Sequence, residues 1–159
     1  MGKKTVTRRR LVHVEQPPLP AADALFDCLI PATRAAKAEL LEQLLCALVK
    51  QGLLPTEDDQ LRARLALDEA LLNAIIHGCR CDPARSVRVR AFAGQSRWSV
   101  LVEDEGQGFR EQDLPDHTRP ADRLAEGGRG VALIRGMMDQ VSYWRSGSAL
   151  LISQRRRRP

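Results

Sequence analysis

The amino-acid sequence predicts a single α+β domain, on three observations. Two stretches carry apolar residues three and four positions apart, which is the spacing of an amphipathic helix. Shorter stretches before and after them alternate apolar and polar residues, as half-buried strands do. The 159 residues are 43% hydrophobic, enough for one well-buried core, and no internal repeat or linker divides them.

The chain begins with two predicted strands. Apolar and polar residues roughly alternate over residues 11–15, and residues 25–30 form a short, mainly apolar run closed by Pro31. Both patterns are typical of β-strands. Only 4% of the residues are aromatic, so we expect Leu, Ile, Val and Ala to pack most of the core.

Two amphipathic helices are predicted next. Thr33 is a suitable N-cap for the first, which ends where Gly52 and Pro55 interrupt the pattern. Its apolar positions are Ala36, Leu40, Leu41, Leu44, Leu45, Leu48 and Val49. Thr56 caps the second, three carboxylates follow it at the positive end of the helix dipole, and Gly78 is a natural stop. The predicted apolar face of this second helix is Leu61, Leu65, Leu72, Ile75 and Ile76.

A hairpin, a long loop and a closing unit follow. Residues 87–91 and 98–102 are strand-like and are joined near Gly94, so they predict a hairpin that leads into Asp104. Residues 105–127 are rich in Gly, Pro, Asp and Arg without any period, and loops of this length inside a domain are usually functional or mobile. The chain then forms a short helix and a second hairpin, predicted over residues 131–138, 141–144 and 149–152.

Charge is concentrated at the two ends of the chain. The formal net charge is +5, and arginines occupy positions 8–10 and 155–158. Such clusters can attract nucleic acid or acidic proteins, but no aromatic residue lies among them to stack on bases, so solvated tails are expected and nucleic acid is not. No signal peptide or bilayer-spanning apolar stretch is evident, which predicts a cytoplasmic protein with no membrane partner.

Four cysteines lack paired zinc spacing and are expected to be reduced and mostly buried: Cys28, Cys46, Cys79 and Cys81.

Polar residues on the second helix form the first candidate site. Glu69, Asn73 and His77 are four residues apart, so each side chain drifts only about 40° around the helix from the one before. All three therefore share one face of a largely apolar helix. A solvated face would show the same spacing.

A carboxylate at the end of a strand is the second candidate. Asp104 follows the apolar strand, and Gly106 and Gly108 allow the backbone to turn sharply directly after it. A carboxylate held there can accept a hydrogen bond from an exocyclic amine such as adenine N6. It can also simply cap the turn, with the glycines serving the turn alone.

Glycines before the short helix are the third candidate. In the segment EGGRG, residues 126–130, they would let backbone N–H groups approach a phosphate at the positive end of the helix dipole. A flexible helix entry would have the same composition. Arg119, Arg123 and Arg129, in or next to the loop, are candidates to neutralise a phosphate, although loop arginines are commonly only solvated.

Together, in this order and with about thirty residues between the first two, the three segments resemble the N, G1 and G2 boxes of the Bergerat-fold (GHKL) ATPases. Within that superfamily the chain resembles the anti-sigma factor serine kinases of bacterial partner-switching systems. The segments that carry this likeness are LALDEALLNAIIHG, VEDEGQGF and EGGRGVALIRGMMDQVSY. The arginine-rich ends and residues 128–131 depart from the family pattern.

The resemblance implies a two-layer α/β sandwich, in which three helices lie on one face of a mixed, mainly antiparallel sheet. It assigns residues 9–153 to a histidine-kinase-like ATPase domain, with basic tails at residues 1–8 and 154–159. It also suggests a homodimer.

The resemblance further implies ATP and Mg²⁺ as cofactors. By motif position Asn73 is the Mg²⁺ ligand and Glu69 the candidate catalytic base. Nucleotide contacts are implied for Asn73, His77, Asp104, Gly106, Gly108, Gly128, Arg129 and Gly130. The implied activity is phosphorylation of a serine on an anti-anti-sigma protein with a STAS domain, combined with sequestration of a sigma factor. An ATP-binding switch without phosphotransfer is the alternative, and a stand-alone ATPase is a third possibility.

Overall fold

Six strands form one sheet, and three helices pack on one of its faces. The computed structural model describes residues 11–14, 19, 23–108, 129–144 and 147–157. The strands are β1 (Leu11–His13), β2 (Phe26–Pro31), β3 (Ser86–Ala93), β4 (Arg97–Asp104), β5 (Gln140–Trp144) and β6 (Ala149–Arg155). The helices are α1 (Arg34–Lys50), α2 (Glu57–Asn73), which continues into a π-helical turn (Ala74–Gly78), and α3 (Arg129–Met137).

The sheet is mixed and mainly antiparallel, with the strand order β1-β5-β6-β4-β3-β2. Only β1 and β5 run parallel, and every other neighbouring pair is antiparallel. This architecture confirms the α+β sandwich that the sequence and its family resemblance predicted. Strands β3 and β4 form the predicted hairpin at the centre of the sheet, and β4 carries Asp104 at its end.

The two faces of the sheet are covered differently. Alternate residues such as Val89, Val100 and Ile152 are fully buried against the helices in the main core. The opposite face carries a smaller apolar cluster of Phe92, Leu101, Trp144, Ala149 and Leu151, which Val14 and Leu19 partly cover. The expected aliphatic core is confirmed on the helical face, where Trp98 is the one large aromatic side chain that is fully buried among the described residues.

Helix α1 follows its predicted pattern. The hydroxyl of Thr33 accepts a hydrogen bond of 3.2 Å from the N–H of Ala36, as an N-cap should. Its buried face is Leu40, Leu41, Leu44, Leu45 and Leu48. Val49 is the exception to the predicted face, because it lies in the last turn and 41% of it is exposed.

The predicted apolar face of α2 was wrong at its N-terminal half. Leu61 and Leu65 are 56% and 38% exposed. The residues buried instead are Ala63, Ala66, Leu67, Ala70 and Leu71. Helix α2 lies between α1 and α3 and contacts both of them. Small alanines let the neighbouring helices come close, so the face of α2 that contacts α1 and α3 is the alanine-rich face.

The four cysteines are free thiols, but they are not mostly buried. Cys79 is buried and Cys28 is partly buried, whereas Cys46 and Cys81 are exposed. Cys46 lies on the solvent side of α1, and Cys81 lies in the turn after α2. The expectation that most of the thiols are buried was therefore wrong.

Two further predictions concern the loop and the end of the chain. Of the loop at residues 105–127, the structure describes residues 105–108, so Arg119 and Arg123 lie outside the described residues. Strand β6 is longer than predicted, because it pairs with β4 as far as Arg155 opposite Arg97. In the described part of the chain, none of the helices has the length and hydropathy that a bilayer crossing requires.

Candidate functional site

Glu69 and Asn73 lie where α2 meets the first turn of α3. A β-carbon built on Gly130 would come 2.7 Å from Glu69 Oε2 and 3.0 and 3.1 Å from the amide nitrogen and oxygen of Asn73. A methyl group at residue 130 would therefore force the ends of these two side chains to shift. The structure therefore brings Glu69 and Asn73, from the first motif, next to Gly130, from the third.

The start of α3 places the positive end of a helix dipole at this junction. The first N–H groups of a helix have no acceptor within the helix, and they form the positive end of its dipole. Helix α3 begins at Arg129, so these N–H groups lie beside the carboxylate of Glu69 and the amide of Asn73. The backbone of Arg129 is in the helix, while its side chain and Gly128 lie outside the described residues.

A π-helical turn follows Asn73 directly. Cys79 donates its N–H to the carbonyl of Ala74 at 2.8 Å, a five-residue step that widens the helix. Turns of this kind are rare, and they are frequent at functional sites. His77 lies in this turn and is exposed, whereas Glu69 and Asn73 are partly buried.

Asp104 joins the end of β4 to the end of this turn. Its N–H donates to the carbonyl of Ser148 at 2.9 Å, and its Oδ1 accepts the N–H of Gly106 at 2.7 Å. The carboxylate packs directly against Gly78, where a β-carbon would collide with it. A β-carbon on Gly106 would in turn lie 2.6 Å from the carbonyl carbon of Gly78. Asp104 thus contacts the end of the helical segment that carries Glu69 and Asn73, and we call the surface formed by this segment and the end of β4 the wall.

The hydrogen bond from the N–H of Gly106 shows that Asp104 caps its own turn, which is one of the two interpretations that the sequence allowed. The contact with Gly78 adds a second property, since it fixes the carboxylate on the helix-facing side of the sheet. Gly108, the last residue described before the loop, has φ of 73°, a left-handed conformation that favours glycine. The strand-end carboxylate and the polar face of α2 therefore border the same side of the sheet.

Sequence reasoning missed two groups that shape this wall. Gly78 was interpreted only as a helix stop, although its place next to the spaced polar set was a usable signal. Glu105 accepts the N–H of Ser86 at 2.8 Å and so ties the end of β4 to the start of β3. No pattern in the sequence indicates that second contact, because it depends on the strand register.

Cys79, behind the wall, is a neutral thiol. Burial raises the pKa of the Cys79 thiol, and the negative charge of Asp104 raises it further, against a backbone hydrogen bond from Glu105 that lowers it. The thiol lies 3.5 Å from the carbonyl of Ser86, to which it donates. A protonated, packed thiol supports the site and offers no nucleophile.

The donor set at the α2–α3 junction fits Mg²⁺ with a nucleotide. Mg²⁺ takes hard oxygen ligands and usually only one or two from protein, with water and phosphate oxygens completing the octahedron. The amide oxygen of Asn73 is such a ligand, and it lies beside a helix N-terminus that suits phosphate. Among the described residues no cluster of three His, Cys, Asp or Glu side chains is placed to hold a metal ion.

Comparison with known proteins agrees with this geometry. The sequence profile of the histidine kinase-like ATPase domain matches residues 30–153. The chain is 36% identical over 94 residues to the serine-protein kinase RsbW of Bacillus subtilis, covering 54% of this chain and 58% of that protein. It is 31% identical over 93 residues to the anti-sigma F factor of Clostridium perfringens, covering 57% of this chain and 66% of that protein.

A second anti-sigma F factor, from Halalkalibacterium halodurans, is 31% identical over 90 residues, covering 55% of this chain and 61% of that protein. The chain thus spans roughly three fifths of the length of the curated relatives it matches. The profile match covers most of the chain and includes Glu69, Asn73 and Asp104. With the sandwich architecture and the junction at Gly130, it establishes that this chain belongs to the histidine kinase-like ATPase family.

Proposed function

We propose that this chain uses ATP and Mg²⁺ to phosphorylate a serine of an anti-anti-sigma protein with a STAS domain, and that it sequesters a sigma factor. The names of its relatives, a serine-protein kinase and anti-sigma F factors, support this class of activity. The observation that carries the proposal is the position of Glu69 and Asn73 against Gly130. A carboxylate base and a metal ligand are thereby held at one helix N-terminus.

Each residue of the junction has a role in this proposal. ATP bound with Mg²⁺ supplies the γ-phosphoryl group. Asn73 would hold the metal through its amide oxygen, and the N–H groups at the start of α3 would bind phosphate oxygens. Glu69 orients the incoming serine hydroxyl and accepts its proton while the oxygen bonds to phosphorus and ADP leaves. Phosphoryl transfer depends mainly on such positioning and charge stabilisation.

Asp104 is assigned to adenine recognition. Its contact with Gly78 fixes the carboxylate at the far end of the same wall, and the bond from Gly106 orients one of its oxygens. The adenine N6 group is a donor that a carboxylate can accept.

Transfer of label from ATP tests the kinase proposal. The chain is incubated with γ-labelled ATP, Mg²⁺ and a STAS-domain protein encoded nearby, and label on serine is the expected result. Glu69→Gln should abolish the transfer, whereas Glu39→Gln, an exposed carboxylate change on α1, should leave it intact. Tight ATP binding without any transfer would favour the alternative, a binding switch, and transfer that survives Glu69→Gln would contradict the assignment of the base.

The proposed protein is a cytoplasmic homodimer. This part of the proposal rests on the resemblance to the anti-sigma factor serine kinases. Sedimentation equilibrium should give twice the chain mass, and a monomer at all concentrations would contradict it. The results expected in the transfer assay do not depend on whether the chain forms a dimer.

A further inference from the structure

Four arginines gather at the end of the sheet opposite the proposed nucleotide site. Arg97 begins β4 and Asp104 ends it, so seven strand steps of about 3.3 Å, roughly 23 Å, separate them. Arg97 and residues 155–157, together with Gln95 and Ser96, line an open groove of about 690 Å³. We call this surface the arginine groove. It is too far from Asp104 to contact the same small ligand.

The arginine groove contains charges that are unfavourably placed for the folded chain alone. Arg97 and Arg155 are direct partners in the antiparallel register of β4 and β6, so their side chains leave the same face of the sheet. Like charges placed directly opposite each other destabilise a sheet. In addition, Nη1 of Arg97 is buried and has no hydrogen-bond partner among the described residues. A bound anion would relieve the repulsion between the two facing arginines.

The groove is held in place by backbone contacts and is not a frayed tail. The N–H of Arg155 donates to Oδ2 of Asp139 at 2.8 Å, and the N–H of Arg156 donates to the carbonyl of Ser96 at 2.9 Å. The guanidinium of Arg156 also donates to the carbonyl of Gly94 at 3.1 Å. Positions fixed in this way lose little freedom on binding, which favours a specific partner.

Two carboxylates, Asp59 and Asp139, offset part of the positive charge of the four arginines in the groove. Arg157 lies 3.3 Å from a carboxylate oxygen of Asp59. Within the part of the chain that the structure describes, no ion pair involves the side chains of Arg97 and Arg155. The planar guanidinium fork matches a carboxylate with two parallel hydrogen bonds. The surface is therefore complementary to a ligand with several carboxylates.

In its described part the groove lacks the exposed aromatic side chains on which unpaired bases stack, so a protein is a better partner than single-stranded nucleic acid. Proteins that bind unpaired bases combine basic residues with exposed aromatic side chains. The nearest aromatic along β4, Trp98, is 1% exposed, and no aromatic residue lines the groove in the described chain. We propose that the arginine groove docks a segment of a protein partner that is rich in Asp and Glu. This inference does not depend on phosphotransfer.

Fluorescence anisotropy of the full chain tests the proposal. The probes are a labelled peptide of alternating Glu and Gly, the same peptide with Gln for Glu, and a labelled DNA duplex, all at low salt. The groove variant combines Arg97→Gln with Arg155→Gln. The matched control combines Arg64→Gln with Arg88→Gln, two exposed arginines elsewhere whose loss lowers the net charge equally.

We expect the chain to bind the Glu peptide at least ten times more tightly than the Gln peptide. The groove variant should lose affinity for the Glu peptide tenfold, and the control variant less than twofold. The groove variant should also melt up to about 3 °C higher, because facing charges are removed. ATP affinity should be unchanged, which shows that the variant is folded. Equal losses of affinity in the two variants would mean that the peptide responds only to the overall charge of the protein, and this result would overturn the proposal. Tighter, groove-dependent binding of DNA, or no binding of the Glu peptide, would overturn it as well.

Discussion

The carboxylate of Asp104 packs directly against the Cα of Gly78, so the end of β4 and the end of the π-helical turn leave no space for a side chain. Gly106 closes the contact from the other side, against the carbonyl of Gly78. This contact fixes the distance between the strand-end carboxylate and the polar face of α2. Residues that are far apart in sequence are thereby held as one wall.

Gly78→Ala tests this contact. The added methyl group would overlap the carboxylate of Asp104, and overpacking of this kind costs about 1–3 kcal/mol of unfolding free energy. Displacing the carboxylate should also weaken ATP binding at least tenfold. Urea denaturation and a calorimetric ATP titration measure the two effects. A variant with unchanged stability and affinity would show that the contact has no such role.

Gly130→Ala should lower the stability of the protein, although replacing glycine by alanine in a helix ordinarily raises it. Alanine is normally favoured over glycine in a helix by up to about 1 kcal/mol. At residue 130 the methyl group would press on Glu69 and Asn73, so we expect lower stability and a tenfold or greater loss of Mg-ATP affinity. Gly136→Ala, in the same helix, is the matched control because nothing lies within 4 Å of its β-carbon. If both substitutions stabilise the protein equally, the close packing at Gly130 is wrong.

Asp104→Asn separates charge from shape. The amide oxygen can still accept the N–H of Gly106, so the unfolding free energy should change by less than about 1 kcal/mol. The amide loses the charge that strengthens a bond to an adenine amine, and ATP affinity should fall roughly 10- to 100-fold. GTP, which lacks that amine, should show a smaller change. Unchanged ATP affinity would refute the adenine role.

Thiol labelling reports on the packing behind the wall. Cys46 and Cys81 are exposed and should react with a maleimide rapidly at pH 7. Cys79 is buried, and burial raises the pKa of its thiol, so it should react far more slowly until the chain is unfolded in urea. Mass spectrometry of the labelled peptides gives the three rates. Labelling of Cys79 as fast as Cys81 in the native protein would contradict the packing.

Local patterns predicted most elements of the fold. The N-caps at Thr33 and Thr56 both form, since the hydroxyl of Thr56 accepts the N–H of Asp59 at 3.1 Å. The face of α2 was harder to predict because α2 contacts two helices, and the large side chains of Leu61 and Leu65 are excluded from the close alanine-lined contacts. Which face is buried then depends on the neighbours and not on the helix alone.

The candidate site, like the fold, could be predicted from the sequence only in part. The four-residue spacing correctly brought Glu69 and Asn73 together, because it depends only on helix geometry. It did not anticipate the π-helical turn that contains His77, or the role of Gly78 as the surface on which Asp104 rests. Both of these depend on how α2 ends against β4, and no single segment of sequence encodes that contact. The roles of all the proposed site residues stay predictions, and Gly128 and the Arg129 side chain also lie outside the described residues.

A calorimetric titration of ATP with and without Mg²⁺ tests most directly whether one pocket uses Asn73, Glu69 and the start of α3. For the unmodified chain we expect Mg²⁺ to tighten ATP binding at least tenfold. In Asn73→Ala that gain should disappear while the metal-independent affinity remains, because Asp104 and its partners are untouched. Equal Mg²⁺-dependent affinity in the two proteins would contradict the assignment of the pocket.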